Sequence, residues 1–310
     1  MAEIIQKDGT WAFDGDALRL TPGRDRNVSL LRRTLGELTV PLEALAGISF
    51  EQGKRAGRLR LRLREGADPL LHATGGRLTE PNDPYQLLVE SDRYGVAEYF
   101  VDEVRGALQL EEVSSDPVTE YLLPGPHVPV SVSAGDGTAS FDGEHVRLEW
   151  NWKTEDAKAA AGARTLALAD ITAVEWLPAA GLENGCLRLT VTGSPGKTPP
   201  KYDPNAVELW GFKKDPLMAL VAAAVQARLP HPSAPAAGAA RLRAAGPEAI
   251  LEAQLPGAAQ AAVPEQRVPA VEDAHDALLR RLRELGELHR TGVLTDEEFS
   301  MAKQAVLKRM

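Results

Sequence analysis

Gly9-Thr10-Trp11-Ala12-Phe13-Asp14-Gly15 returns later in the chain as Gly137-Thr138-Ala139-Ser140-Phe141-Asp142-Gly143. Each copy runs into an alternating stretch, Asp16-Ala17-Leu18-Arg19-Leu20 in the first and Glu144-His145-Val146-Arg147-Leu148 in the second. Asp-Gly between alternating apolar runs signals a hairpin, because a tight primed turn needs the positive φ that Gly adopts without strain. Each copy predicts a β-hairpin that opens a domain, and the domain occurs twice.

Working outward, the first unit spans residues 1–110. It continues through Leu38-Thr39-Val40-Pro41-Leu42 and Leu45-Ala46-Gly47-Ile48-Ser49-Phe50 to Arg58-Leu59-Arg60-Leu61-Arg62-Leu63-Arg64. The strict period of two in that last run marks a half-buried strand. Further strands are expected at Leu70–Ala73 and Tyr85–Val89. The unit closes on a helix, whose apolar face holds Val96, Ala97, Phe100, Val101, Val104 and Leu108. The second unit, 126–229, repeats the plan with Leu166–Trp176, Cys186–Val191 and a last helix presenting Leu217, Met218, Val221, Ala222, Val225 and Leu229. Asp215-Pro216 reads as that helix's N-cap and first residue. A hairpin, a strand and a helix face matched in the same order imply duplication. The fold class that follows is α+β, with each unit a meander of strands closed by one C-terminal helix.

The order of elements resembles the pleckstrin-homology-like barrel. The two units are also similar to a tandem bacterial family, domain of unknown function 4429, over roughly residues 2–110 and 126–229, best seen at Phe13-Asp14-Gly15 and Phe141-Asp142-Gly143. That family brings no activity with it. Residues 111–125 form an acidic linker between the units. Residues 230–270 scatter Pro230, Pro232, Pro235, Pro247, Pro256, Pro264 and Pro269 among Ala and Gly, and read as a disordered tether. In residues 271–310 a helical face of Leu278, Leu282 and Leu285 precedes Gly292, and Thr295-Asp296-Glu297-Glu298 supplies a capping box for a second helix with Phe299, Val306 and Leu307. Leu282, Leu285, Gly292, Val293, Leu294, Thr295, Glu298, Phe299, Lys303 and Leu307 resemble the short C-terminal domain family, SHOCT. The resemblance implies a helical hairpin that mediates self-association or recruits a protein partner.

The formal net charge of −9 argues against a general nucleic-acid binder. Much of it sits between residues 111 and 136, where Glu111, Glu112, Asp116, Glu120 and Asp136 face no Lys or Arg. The lone Cys186 excludes an internal disulfide and suits a reducing compartment. No leader or long apolar run is evident at Met1–Asp8 or elsewhere, so a cytoplasmic location is expected.

Four arginines, Arg58, Arg60, Arg62 and Arg64, share one strand face and make the most pointed candidate site. Such a face would attract phosphate, carboxylate or an anionic membrane surface. The plainer reading, which we prefer, pairs them with cross-strand acids such as Glu43 or Glu51, since the second unit keeps only Arg188 there. Trp150, Trp152 and Trp176 read as core cover before ligand shelf. Turn geometry accounts for Asp14 and Asp142 without catalysis. Cys186 reads as a buried structural thiol. The histidines His72, His127, His145, His231, His275 and His289 show no ligand spacing, so no metal or cofactor is expected. Gly193-Ser194-Pro195-Gly196-Lys197-Thr198 lacks the spacer of a phosphate loop. The expectation is a non-enzymatic binding or scaffold protein. A membrane adaptor working through the arginine face is one alternative, and an unrecognised hydrolase is another.

Overall fold

The computed structural model describes residues 1–193 and 198–234, all within one unit that extends over residues 1–244. Every strand pairing in it is antiparallel, and the four sheets fall into two equivalent pairs. The first repeat holds a four-stranded sheet, β1 (Ala2–Ile5), β2 (Gly9–Phe13), β3 (Ala17–Pro22) and β4 (Leu38–Pro41), with α1 (Leu30–Leu35) inserted before β4. A three-stranded sheet follows, β5 (Leu45–Glu51), β6 (Ala56–Leu63) and β7 (Gln86–Glu90), with α2 (Pro69–Thr74) between its last two strands. Helix α3 (Tyr94–Leu110) closes the repeat against β5, β1 and β7. The second repeat copies this with β8 (Val130–Ala134), β9 (Gly137–Phe141), β10 (His145–Trp150), α4 (Asp156–Ala160) and β11 (Arg164–Ala167). Then come β12 (Ile171–Leu177), β13 (Gly185–Val191), β14 (Ala206–Leu209) and the closing helix α5 (Met218–Gln226).

The duplication reaches down to irregularities. The β5–β6 register skips a residue between Leu45 and Gly47, and the β12–β13 register skips one between Ile171 and Ala173. A Cβ added at Gly9 would lie 2.7 Å from the Thr21 carbonyl oxygen, and one at Gly137 would lie 2.7 Å from that of Glu149. The repeated glycine is thus demanded by the close approach of its neighbouring strand.

Four expectations need correcting. The repeated hairpin does not open its unit, because β1 and β8 precede it as edge strands. Nor is its connection a two-residue primed turn. Phe13 pairs with Leu18 and Phe141 with Val146, leaving four-residue loops. Asp14 Oδ1 accepts from the amides of Asp16 and Ala17, and Asp142 Oδ1 accepts from those of Glu144 and His145. Gly15 at φ 118° and Gly143 at φ 113° carry the reversal. The third correction is α2, which occupies the Leu70–Ala73 stretch expected to be a strand. Asp68 caps it by accepting from Leu70 N and Leu71 N, Pro69 sits in its first turn, and Gly75 ends it in the left-handed region at φ 55°.

The fourth concerns residues 111–125, which are strapped to the first repeat. Val118 N donates to Glu65 O, Leu122 N and Leu123 N donate to Ala67 O, and Val118 and Leu123 are buried in the first core.

Two cores result, and the second borrows from the first repeat. The first is built on Trp11, Leu18, Leu59, Leu87 and Phe100. The second gathers Phe141, Leu148, Trp176, Leu187 and residues 218–225 of α5, together with Leu31, Leu70 and Ala73 from α1 and α2. Helix α5 is apolar all round and fully buried because α2 packs on the side its own sheets leave open. The amphipathic α3 has no such cover, and Tyr99 on its outer side is exposed.

Candidate functional site

The arginine face is real and already occupied. Arg58, Arg60 and Arg62 alternate with the buried Leu59, Leu61 and Leu63 along β6. Arg58 and Arg60 both donate to the Glu80 carboxylate, at 2.8 and 3.2 Å. Arg62 donates to the Ala46 carbonyl at 3.2 Å, a group turned out by the register skip. Arg64 donates to the carbonyls of Asp116 at 2.8 Å and Glu43 at 3.0 Å. Pairing with the protein's own groups is therefore the observed arrangement, though the acid is Glu80 and not Glu43 or Glu51. Glu51 does stand opposite Arg58 in the ladder, but that guanidinium turns to the loop that follows α2.

A different place has the character of a binding site. Where the two repeats meet, a crevice of about 370 Å³ lies between the segments 26–30 and 79–82 of the first repeat and 176–179 and 209–216 of the second. Its walls are mixed, with the apolar Val28, Leu30, Trp176, Pro178, Leu209 and Phe212 beside the polar Asn27, Ser29, Thr79 and Asn82. Asp215 is the carboxylate among its lining residues, and it is buried. The expected helix cap is not what Asp215 makes: its carboxylate turns back, and Oδ2 accepts from the amides of Trp210 at 2.8 Å, Gly211 at 2.7 Å and Phe212 at 3.0 Å. Trp176 Nε1 donates to the Asp215 carbonyl at 3.3 Å. Oδ1 has no partner among the described residues, although the residue is only 4 % exposed. Burial pushes the Asp215 carboxyl up, while the three amides and the nearby Lys153 ammonium pull it back. Behind the 210–212 loop, Lys153 Nζ lies 5.1 Å from the Trp210 ring centroid, 5.8 Å from Phe212 and 5.3 Å from Trp152.

Inside each repeat, one further constellation recurs that sequence reasoning missed. Asp8 pairs with Arg32 of α1 at 2.8 Å, and its Oδ2 accepts from the Leu88 amide of β7. Asp136 pairs with Lys158 of α4 at 2.6 Å, and its Oδ1 accepts from the Glu208 amide of β14. The signal was the Asp that precedes Gly-Thr in both copies. Buried at both ends for Asp136–Lys158 and at the Arg32 end for Asp8–Arg32, these pairs hold the two sheets of a repeat together.

The remaining candidates resolve simply. Cys186 is buried, and its thiol is pushed up to about 11 by burial. Trp176 is core, and Trp150 is half-buried with Nε1 donating to Gly162 O. Trp152 lies past the end of β10 and is 79 % exposed, so it does not cover the core. His72 and His231 flank Tyr121, whose hydroxyl meets His72 Nδ1 at 2.5 Å and accepts from Gln226 at 2.8 Å. Among the described residues no three His, Cys, Asp or Glu side chains are grouped to hold a metal ion. Residues 194–197 of the glycine-containing loop lie outside the described residues, as do Leu278, Leu282, Leu285, Leu294, Phe299, Val306 and Leu307.

Comparison with protein families matches the model "Domain of unknown function (DUF4429)" to residues 11–105 and again to 139–226. The chain belongs to the DUF4429 family. The matched segments start at Trp11 and Ala139, the residues that occupy equivalent places in β2 and β9, so the family boundary follows the structural repeat. No curated protein matches the chain. In the described DUF4429 repeats no helix is long and apolar enough to cross a membrane.

Proposed function

We propose that this chain is a non-enzymatic binding and scaffold protein whose two DUF4429 repeats act as one recognition unit, with the crevice at their junction as the ligand seat. Each repeat's four-plus-three antiparallel strands and closing helix resemble the pleckstrin-homology plan, a fold that serves as a binding module. The observation that carries the reading is the junction crevice itself, a cleft of about 370 Å³ with mixed apolar and polar walls that include one buried carboxylate. Clefts of roughly 300–1,000 Å³, mostly apolar and placed between domains, are the usual form of a small-ligand site. The SHOCT-like segment 271–310 would assemble copies or recruit a partner, multiplying whatever the repeats bind. Anchoring to an anionic membrane is the weaker reading, because Arg58, Arg60, Arg62 and Arg64 each already have an acceptor inside the protein.

The test is affinity capture from native lysate with three baits: the full chain, a chain cut at Pro269, and the full chain carrying Ala179→Trp, which fills the crevice. Ligands of the repeats should survive the cut and disappear with Ala179→Trp. A captured set that Ala179→Trp leaves unchanged would remove the crevice from the account.

A further inference from the structure

We infer that the outer surface of the second repeat around Trp152 docks an acidic segment of a partner protein, one that carries aromatic side chains among its carboxylates. This surface lies beside the junction crevice and does not depend on the crevice being a ligand seat.

Three rings converge there on one ammonium group. Lys153 Nζ lies 5.3 Å from the Trp152 ring centroid, 5.1 Å from that of Trp210 and 5.8 Å from that of Phe212. Trp152 is 79 % exposed and Phe212 is half-buried, so two of the rings reach the surface together. Single apolar residues scattered over a surface need no explanation, but a cluster does. Both loops that present it are held in place. Asn151 Nδ2 donates to the Gly135 carbonyl, and Asn151 Oδ1 accepts from Lys153 N, which fixes the Trp152 turn. The 210–212 loop hangs on Asp215 Oδ2 through its three amides. A surface ordered before its partner arrives loses little entropy on binding. The first repeat has no such cluster. Its connection from β3 to α1, residues 23–29, holds no aromatic residue, and neither does Ser91–Arg93 between β7 and α3. What the fold demands recurs in both repeats, as the register skips and Gly9 and Gly137 do. This cluster answers to something other than folding.

Charge names the partner. Lys213 and Lys214 are exposed, and Lys213 borders the crevice together with the exposed Arg26. None of the three enters an ion pair among the described residues. A carboxylate-rich segment supplies the missing charge, and an aromatic side chain within it stacks on Trp152. A bilayer fits less well. Trp152 has no apolar neighbour in its own turn, where Asn151, Lys153, Thr154 and Glu155 surround it, and the exposed Asp156 follows at the start of α4. A flat anionic surface has to face that carboxylate, whereas a narrow chain runs along the lysines past it. The net charge of −9 disfavours a nucleic acid.

Fluorescence anisotropy of the full chain with two labelled dodecapeptides reads this directly. One peptide repeats Glu-Glu-Tyr and the other Glu-Glu-Ser. The tyrosine peptide should bind about five-fold more tightly, the equivalent of one aromatic contact. Trp152→Ser should bring the two peptides level, and Lys213→Glu with Lys214→Glu should weaken both by roughly ten-fold. Arg58→Glu with Arg60→Glu, on the face already paired, should change neither, and Ala179→Trp should leave both bound. Near-ultraviolet circular dichroism checks that each variant is folded, and the wild-type preference stands as a test even if a variant fails. Equal binding of the two peptides by wild type, or no binding at millimolar peptide, overturns the proposal. So does a preference that survives Trp152→Ser, or a loss on changing Arg58 and Arg60 as large as that on changing the lysines. Phosphatidylserine vesicles or a thymidine oligonucleotide bound through Trp152 more tightly than the tyrosine peptide would overturn it in favour of another class of partner. Peptide binding abolished by Ala179→Trp would place the acidic segment in the crevice and overturn the separate surface.

Discussion

Lys158 and Asp136 meet at 2.6 Å with side chains 0 % and 2 % exposed, and Lys158 also donates to the Pro200 carbonyl and lies 4.3 Å from the Trp150 ring centroid. Removing one partner of such a pair strands the other charge in the interior, which costs about 3–5 kcal/mol. Lys158→Ala should therefore lower the urea midpoint by that equivalent, and Asp136→Asn with Lys158→Met should recover most of the loss, because the Asn oxygen still accepts from Glu208 N. His72 gives a second prediction. Burial, and then the neighbouring His231, hold its pKa below the usual value near 6.5. The unfolded chain then binds the proton more readily than the folded one, so stability is undiminished above about pH 6.5 and declines as pH falls through the folded pKa. Between pH 7.5 and 5 the urea midpoint of wild type should drop more than that of His72→Gln. Neither constellation was legible in the sequence beyond its parts. Asp8 and Asp136 flanked a repeat already noticed, but their partners lie on α1 and α4, short helices that no periodicity announces. The arginines of β6 were legible as a face, whereas Glu80 was not, since only the fold brings the loop after α2 back over that strand.

Helix α2 joins the two repeats, and among the described residues between β13 and β14 no helix answers it. Asp68, Pro69 and Gly75 spell its cap, first turn and end, the same signals that located a helix start near Asp215, yet six residues are too few for a 3.6-residue period to show. Strands β2, β3 and β6 and helix α3 were legible because each buries one face, so alternation or helical spacing survives in the sequence. The all-round apolar character of α5, with Ala219, Leu220, Ala223 and Ala224 on its far side, was the hint that something covers it. Leu70 is the side chain to test. Truncating a buried Leu to Ala costs about 2–5 kcal/mol, and because Leu70 belongs to the second repeat's core, Leu70→Ala should destabilise that repeat as well as its own. The second repeat expressed alone as residues 126–234 should expose the α5 face and associate in solution, which sedimentation velocity would detect.

The two repeats share one core boundary, a strap at residues 111–125 and the crevice between them, so recognition would belong to the pair and not to either half. Tandem organisation was readable from two seven-residue stretches. The way the copies lock together was not, since it depends on the packing of α2 against α5. At the far end, the hairpin proposed for residues 271–310 would carry Leu278, Leu282, Leu285, Phe299 and Val306, more apolar side chain than a hairpin of roughly 35 residues would hide alone. Light scattering should find the intact chain oligomeric and the chain cut at Pro269 monomeric; an intact chain monomeric at high micromolar concentration would leave docking to another protein as that segment's role. The claim on which the rest depends is that the two DUF4429 repeats are one cooperative unit, and differential scanning calorimetry of residues 1–234 tests it most directly. The account predicts a single transition whose calorimetric and van't Hoff enthalpies agree, displaced as a whole by Leu70→Ala. Two separable transitions, or a Leu70→Ala shift confined to one of them, would contradict it.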